Sequence, residues 1–204
     1  MATYLNIDVL DVTEPDRGDA ADEDVERRIV LLDSATGTRT SEAADSAPSA
    51  SRVFRWRCFS RADWRVLKTF IDGKFGRAVP FWLITWEDDL DLTVDIAPND
   101  LTITVEQCSY TALLFQYPSR RHIAFLDKLT GTRYFRKITA AVDGGSTETL
   151  TLDSSLGVSL PMASTAVSFL RLSRLDSDTP RIEWEGGQYA TCDLPIKEIP
   201  WDVT

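Results

Sequence analysis

The sequence predicts a mainly β protein, a β-sandwich or barrel of short strands with one amphipathic α-helix. Two observations lead to this prediction. Short segments rich in β-branched and aromatic residues recur along most of the chain and are separated by turn residues, as in all-β domains. Only one segment, about residues 61–72, carries apolar residues at helical spacing. The 204 residues, of which 43% are hydrophobic, are enough for one large or two small domains with their own cores.

The first part of the chain combines two polar segments with one predicted strand. Residues 11–28 are strongly acidic, and residues 41–51 are almost all Ser, Ala, Asp and Glu with Pro48. We expect both segments to be solvated loops, and the second to be an arm that orders when copies assemble. Between them, the apolar residues 29–32 predict a strand.

A strand and then a helix are predicted between residues 54 and 73. Phe54, Trp56 and Cys58 alternate with Arg55 and Arg57, which indicates a strand with one buried face. Next, a capping-box pattern, a hydrophobic staple, an apolar helical stripe and two glycine stops predict the helix. The capping box is Ser60 with Asp63, and the staple is Phe59 with Trp64. The stripe is Trp64, Leu67, Phe70 and Ile71, and the glycine stops are Gly73 and Gly76.

The rest of the chain contains only strand patterns. Residues 80–86 form a short aromatic run that predicts a strand buried on both faces. Turn residues separate the later patterns, which fall at 101–105, 113–117, 123–126, 134–140, 147–152, 166–172, 181–184 and 189–199. We therefore predict a discontinuous outer β domain, residues 1–95 plus 166–204, and an inserted small β-barrel-like module at 96–165.

Composition and motifs argue against several function classes. The formal net charge of −10 opposes binding to a phosphate backbone, and no apolar run is long enough for a membrane span. The three cysteines form no C-x-x-C pair, and no signal peptide is visible at residues 1–8. We therefore expect no membrane insertion, no nucleic-acid recognition, no disulfide framework and no zinc site.

No catalytic constellation is found, so we expect the protein not to be an enzyme and to carry no cofactor. His122 is the single histidine and has no nucleophile motif beside it, so we expect a structural role. Nucleophile-elbow, Walker A and dinucleotide-binding motifs are missing. The acidic run Asp88, Asp89, Asp91 and Asp95 does not have the spacing of a calcium loop.

Aromatic residues suggest an interface. Four of the six tryptophans lie within residues 56–86, where we expect them to belong to the core. Trp201, near the end of the sequence, is a candidate docking anchor, because aromatic side chains are enriched at interface hot spots. Arg55 and Arg57, on the polar face of the predicted strand, are further candidate interface residues.

The segment from Phe54 to Trp82 also resembles a known family. It reads Phe54-Arg55-Trp56-Arg57, Ser60-Arg61-Ala62-Asp63-Trp64, Leu67-Lys68-Thr69-Phe70-Ile71-Asp72, Gly76-Arg77 and Pro80-Phe81-Trp82. This order of arginine-bearing strand, helix, glycine and aromatic strand is similar to that of the distal tail proteins of long-tailed bacteriophages and gene-transfer agents. Residues 148–156 and 167–172 also resemble phage tail sequences. The resemblance spans residue 29 to the C-terminus. It lies in the general order of residue types and not in a signature motif.

The resemblance implies a structural virion protein of the tail tip, assembled in the host cytoplasm. Such a protein forms a ring, expected to be hexameric, that joins the tail tube to the hub or baseplate and its fibres. The implied partners are other copies of the chain, the tube protein, the hub protein and tail fibres, and no catalytic residue is implied. Two alternatives remain open: a carbohydrate- or receptor-binding module, with residues 96–165 as the reader, and a tail-completion or head–tail connector protein.

Overall fold

The computed structural model describes residues 2–12, 14–16, 23–26, 29–33, 39–43, 49–185 and 189–200. Within these residues the chain forms fourteen strands, two α-helices and two short 3₁₀ helices. The strands are β1 (Thr3–Tyr4), β2 (Ile7–Leu10), β3 (Glu23–Glu26), β4 (Ile29–Asp33), β5 (Arg39–Ala43), β6 (Ser49–Cys58), β7 (Phe81–Ile84), β8 (Thr102–Glu106), β9 (His122–Asp127), β10 (Arg133–Asp143), β11 (Thr147–Leu152), β12 (Thr165–Leu175), β13 (Arg181–Glu185) and β14 (Tyr189–Glu198). The α-helices are α1 (Arg61–Gly73) and α2 (Tyr110–Leu113), and the 3₁₀ helices are Pro118–Arg120 and Met162–Ser164. The predicted mainly β fold with an amphipathic helix is confirmed.

Helix α1 forms as its sequence predicts. The Ser60 hydroxyl accepts a hydrogen bond from the Asp63 amide at 3.1 Å and donates one to the Asp63 carboxylate at 2.7 Å. This satisfies one of the free N–H groups of the first turn. The buried stripe is the predicted one and consists of Trp64, Leu67, Phe70 and Ile71. Phe59, predicted to staple the cap, is instead largely exposed, with its ring against Tyr189.

The end of α1 depends on Gly76 rather than on both predicted glycines. Gly73 remains helical, and the left-handed backbone begins at Phe75 (φ 49°) and Gly76 (φ 64°). The positive φ of Gly76 favours glycine, and a Cβ there would also displace the Asp178 carboxylate, whose oxygen would lie 2.3 Å away. Arg77 then pairs with Asp178 at 3.0 Å. The side chain of Lys74 is buried, ion-paired with Asp8.

The chain divides into two compact units, one of residues 1–82 and 172–204, the other of residues 83–171. The boundaries predicted from the sequence lie at 95/96 and 165/166. Strands β7 and β12 each contribute residues to both units, so the change from one unit to the other falls within a strand. Strand periodicity alone does not mark such a boundary.

In the first unit, β6 and β14 are long antiparallel partners. Residues 51–58 of β6 pair with residues 190–197 of β14. On the far side of β14 lie β13 and, at the C-terminal end of β14, residues 173–175 of β12. On the far side of β6 lies β3, so β3, β6, β14 and β13 follow one another across the sheet. The inward side chains of β6 are Phe54, Trp56 and Cys58, as the alternation predicts. Separately, β4 and β5 form a two-stranded antiparallel sheet.

The second unit is an antiparallel sheet around one hydrophobic core. Its strand order is β12–β9–β10–β11–β8. The core includes Ile123 and Phe125 of β9, Ile138 of β10, Leu150 of β11 and Phe169 of β12. Ile123 and Phe125 alternate along β9 and therefore face the same side of the sheet.

Three predicted segments differ from the structure. Residues 113–117, expected to be a strand, instead contain the last residue of helix α2 and the turn after it. The N-terminus of α2 is held by hydrogen bonds to Glu148 of β11. Of the two expected loops, residues 11–28 contain strand β3, and residues 41–51 contain the end of β5 and the start of β6. Residues 44–48 lie outside the described part of the chain. Strand β5 forms a hairpin with β4, and β3 pairs with β6, so polar composition alone did not exclude strands in these segments.

Candidate functional site

A groove lies on the solvent-facing side of the β6–β14–β13 sheet. The outward residues of β6 include Arg55 and Arg57, and those of β14 include Thr191 and Asp193. The register places Thr191 between Arg57 and Glu183, and it places Asp193 directly across from Arg55. Three strands therefore bring polar side chains from distant parts of the sequence into adjacent rows.

The groove has a volume of about 580 Å³, within the range of small-molecule sites. Its polar walls are formed by Arg55, Arg57, Glu183 and Thr191, and its aromatic end by Phe59 and Tyr189. It is open to solvent along one side, because its walls are side chains that stand on a sheet face.

Each charged side chain of the groove already has a partner within this unit. Arg55 makes a bidentate ion pair with Asp193, with Nε–Oδ1 and Nη2–Oδ2 distances of 2.7 and 3.2 Å. Arg57 pairs with Asp16 through Nε and Oδ2 at 2.7 Å. Glu183 pairs with Arg181 of the same strand. Three positive and three negative groups thus balance, and the groove carries no net charge.

The aromatic end of the groove is exposed. Phe59 is 69% and Tyr189 50% exposed, and their rings meet edge to face with centroids 6.3 Å apart. Neither ring belongs to the core, so both present ring surface to solvent. Exposed, mutually oriented aromatic rings are typical of surfaces that bind apolar faces of ligands or partners.

The structure places the candidate interface residues as follows. Arg55 and Arg57 lie together in the groove, on the outward face that the alternation predicted. Trp201 lies outside the described residues. Of the other tryptophans, those at 56, 64, 82 and 86 are buried, as predicted, whereas Trp184 is 50% exposed with its ring edge to face against Trp64.

Burial shifts the pKa of His122, the histidine considered for catalysis, and of two cysteines. His122 is fully buried, and burial, together with the charge of Lys137, lowers its pKa to about 4. Burial raises the pKa of the Cys58 thiol and raises that of Cys192 to about 12, so both remain protonated at neutral pH.

The acidic run at residues 88–95 is tied into the second unit. Asp88 pairs with Lys128 at 3.2 Å, and Asp95 accepts a hydrogen bond from the Met162 amide at 2.8 Å. Asp89 accepts hydrogen bonds from Thr85 and from the Phe169 amide, and burial raises its pKa. Over the described part of the chain, no group of three or more potential ligands is arranged to hold a metal ion.

Sequence reasoning missed four groove residues: Phe59, Glu183, Tyr189 and Thr191. Phe59 continues the outward alternation of Arg55 and Arg57, so the period-two pattern contained a signal for it. The other three reach the groove through the pairing of β14 with β6 and β13. Strand pairing across more than one hundred residues leaves no local trace.

Comparisons with known proteins add no family. No model of a known protein family matches the chain, and a search of curated proteins finds no similar sequence. Among the described residues, no helix is long and apolar enough to cross a membrane.

Proposed function

We propose that this chain is a non-enzymatic structural subunit that assembles with copies of itself into a ring at the tail tip of a long-tailed bacteriophage. One observation carries the self-assembly: in the described residues of the first unit, the β3–β6–β14–β13 sheet ends in two open edges. Over the residues that the structure describes, strand β3 pairs only with β6, and β13 pairs only with β14.

Both open edges carry apolar side chains. On β13, Ile182 is 38% exposed, and Trp184 lies beside it at the same edge. On β3, Val25 is 66% exposed. An edge strand presents unpaired N–H and C=O groups, and exposed apolar residues on it favour pairing with another chain.

The two edges differ, so they favour a head-to-tail contact. If β13 of one copy pairs with β3 of the next, each copy still has one edge free. Such a heterologous contact closes into a ring when the rotation between copies divides a full turn. A contact between two different edges does not give a two-fold symmetric dimer, in which both copies use the same surface. It therefore supports a ring subunit.

The test of self-assembly is the mass of the full chain in solution. We expect light scattering to give a mass that rises with concentration toward a closed oligomer, and negative-stain images to contain rings. The variant Ile182→Lys should weaken association at least about tenfold, because it places a charge on an edge that pairing would desolvate.

The matched control is Val66→Lys, which adds the same charge at an exposed position of α1 instead of a strand edge. We expect this control to assemble as the unaltered chain does. A chain that stays monomeric at all concentrations, or equal assembly by both variants, contradicts the proposed edge contact.

The location is tested separately. Phage particles produced from a genome encoding this sequence should contain the chain as a stoichiometric component, detectable by mass spectrometry. Antibody labelling should place it at the tip of the tail. Its absence from particles, or its presence only at the head–tail junction, contradicts the tail-tip proposal.

A further inference from the structure

The outward groove of the first unit has features of a ligand site that self-assembly does not require. Its volume of about 580 Å³ lies within the small-molecule range. Its walls combine hydrogen-bonding side chains with exposed rings. The edge contact proposed above uses β3 and β13 through their free backbone groups, whereas the groove opens on the face of the sheet.

The charges of the groove indicate an uncharged ligand. The guanidinium of Arg55 is held bidentately by Asp193, and that of Arg57 is held by Asp16. An anionic ligand would have to compete with these internal carboxylates, and a cation with Arg181 at Glu183. A neutral polar ligand instead meets side-chain donors and acceptors that are already held in place by neighbouring residues of the protein.

The aromatic end indicates a ligand with an apolar face. The Tyr189 ring is half-exposed and is oriented by its edge-to-face contact with Phe59. A pyranose has such a face, formed by its axial C–H groups, and a rim of hydroxyl groups that both donate and accept hydrogen bonds. Ring surface beside Arg57, Glu183 and the Thr191 hydroxyl matches both parts of that molecule.

We propose that this groove binds a neutral oligosaccharide, with Tyr189 packed against a sugar face and Arg57, Glu183 and Thr191 bonded to its hydroxyls. The groove is open along one side, so a chain of sugars can extend beyond it. The site lies in the first unit, not in residues 96–165, where the sequence suggested a carbohydrate reader.

The test uses the full chain and defined probes. A panel of neutral hexasaccharides of glucose, mannose, galactose and N-acetylglucosamine is screened, with oligogalacturonate and a short heparin fragment as anionic probes. We expect at least one neutral probe to bind by calorimetry. Tyr189→Ala should weaken that binding about tenfold or more, which is the order of one lost aromatic contact.

A second variant and a control keep the outcome decisive. Glu183→Gln changes an exposed side chain and should also weaken binding without affecting folding. Phe75→Ala removes a 77% exposed ring that does not line the groove, and it should bind as the unaltered chain does. Binding of anionic probes only, no binding by any probe, or equal loss in all three variants overturns the proposal. Light scattering on the same samples reports self-assembly independently.

Discussion

Glu148 is a buried carboxylate that organises the first turn of helix α2. It lies on β11 with no solvent exposure, and one oxygen accepts the amides of Cys108 and Tyr110 at 3.2 and 3.0 Å. The other oxygen accepts the amide of Thr111 at 2.7 Å. Burial by itself raises the pKa of Glu148, but hydrogen bonds, led by those from Thr111, outweigh it and hold the pKa below the usual 4.5.

We predict that Glu148→Gln destabilises the second unit by about 1.5–3 kcal/mol at pH 7, the range for hydrogen bonds to a charged group. Because the folded-state pKa is depressed, the carboxylate contributes its stability above about pH 4.5 and loses it as the pH falls through the folded value. The difference between Glu148→Gln and the unaltered chain should therefore shrink on acidification. Urea unfolding followed by circular dichroism at several pH values measures it.

The control is Glu106→Gln, which makes the same change at an exposed position of the neighbouring strand β8. We expect it to unfold like the unaltered chain at every pH. A Glu148→Gln effect of the same size at neutral and acidic pH would mean that the ionised carboxylate is not what holds α2.

At the scale of elements, local signals determined what the sequence could predict. The ends of helix α1 were predicted to within one residue, because its N-cap, its apolar stripe and its glycine end are local features of one short segment. Helix α2 was not predicted, because its N-terminus depends on Glu148, about forty residues further along the chain. Strand β3 and the end of β5 were assigned to loops because polar strands resemble solvated segments in composition.

We predict that Ser60→Ala destabilises the first unit by about 1 kcal/mol, because it removes the oxygen that accepts the Asp63 amide. The measurement is urea unfolding followed by tryptophan fluorescence, which reports on the buried Trp64. As a control, Thr69→Ala removes a hydroxyl from the exposed side of the same helix. It should be neutral or slightly stabilising, because alanine favours helix. Equal destabilisation by both changes would refute the role of the cap.

At the scale of the whole molecule, the groove and the open edges depend on pairing that only the fold reveals. The alternation in β6 predicted that Arg55 and Arg57 share an outward face, but not that Asp193 and Asp16 neutralise them. The chain carries 22 basic and 32 acidic residues, a formal net charge of −10. The partnered arginines are therefore poor candidates for ion pairs between copies, and the edges are better ones.

This arrangement makes a prediction about salt. Copies that each carry a charge of −10 repel one another, and apolar edge contacts are not weakened by screening. Raising the salt concentration from about 10 mM to about 150 mM shortens the screening length from about 30 Å to about 8 Å. We therefore expect several-fold tighter self-association at the higher salt, measured as the midpoint of the mass-versus-concentration curve. Arg55 and Arg57 acting as ion-pair donors across the interface would give the opposite result, since screening weakens attraction between copies. Tighter association in low salt would thus favour the arginines over the edges of β3 and β13 as the contact.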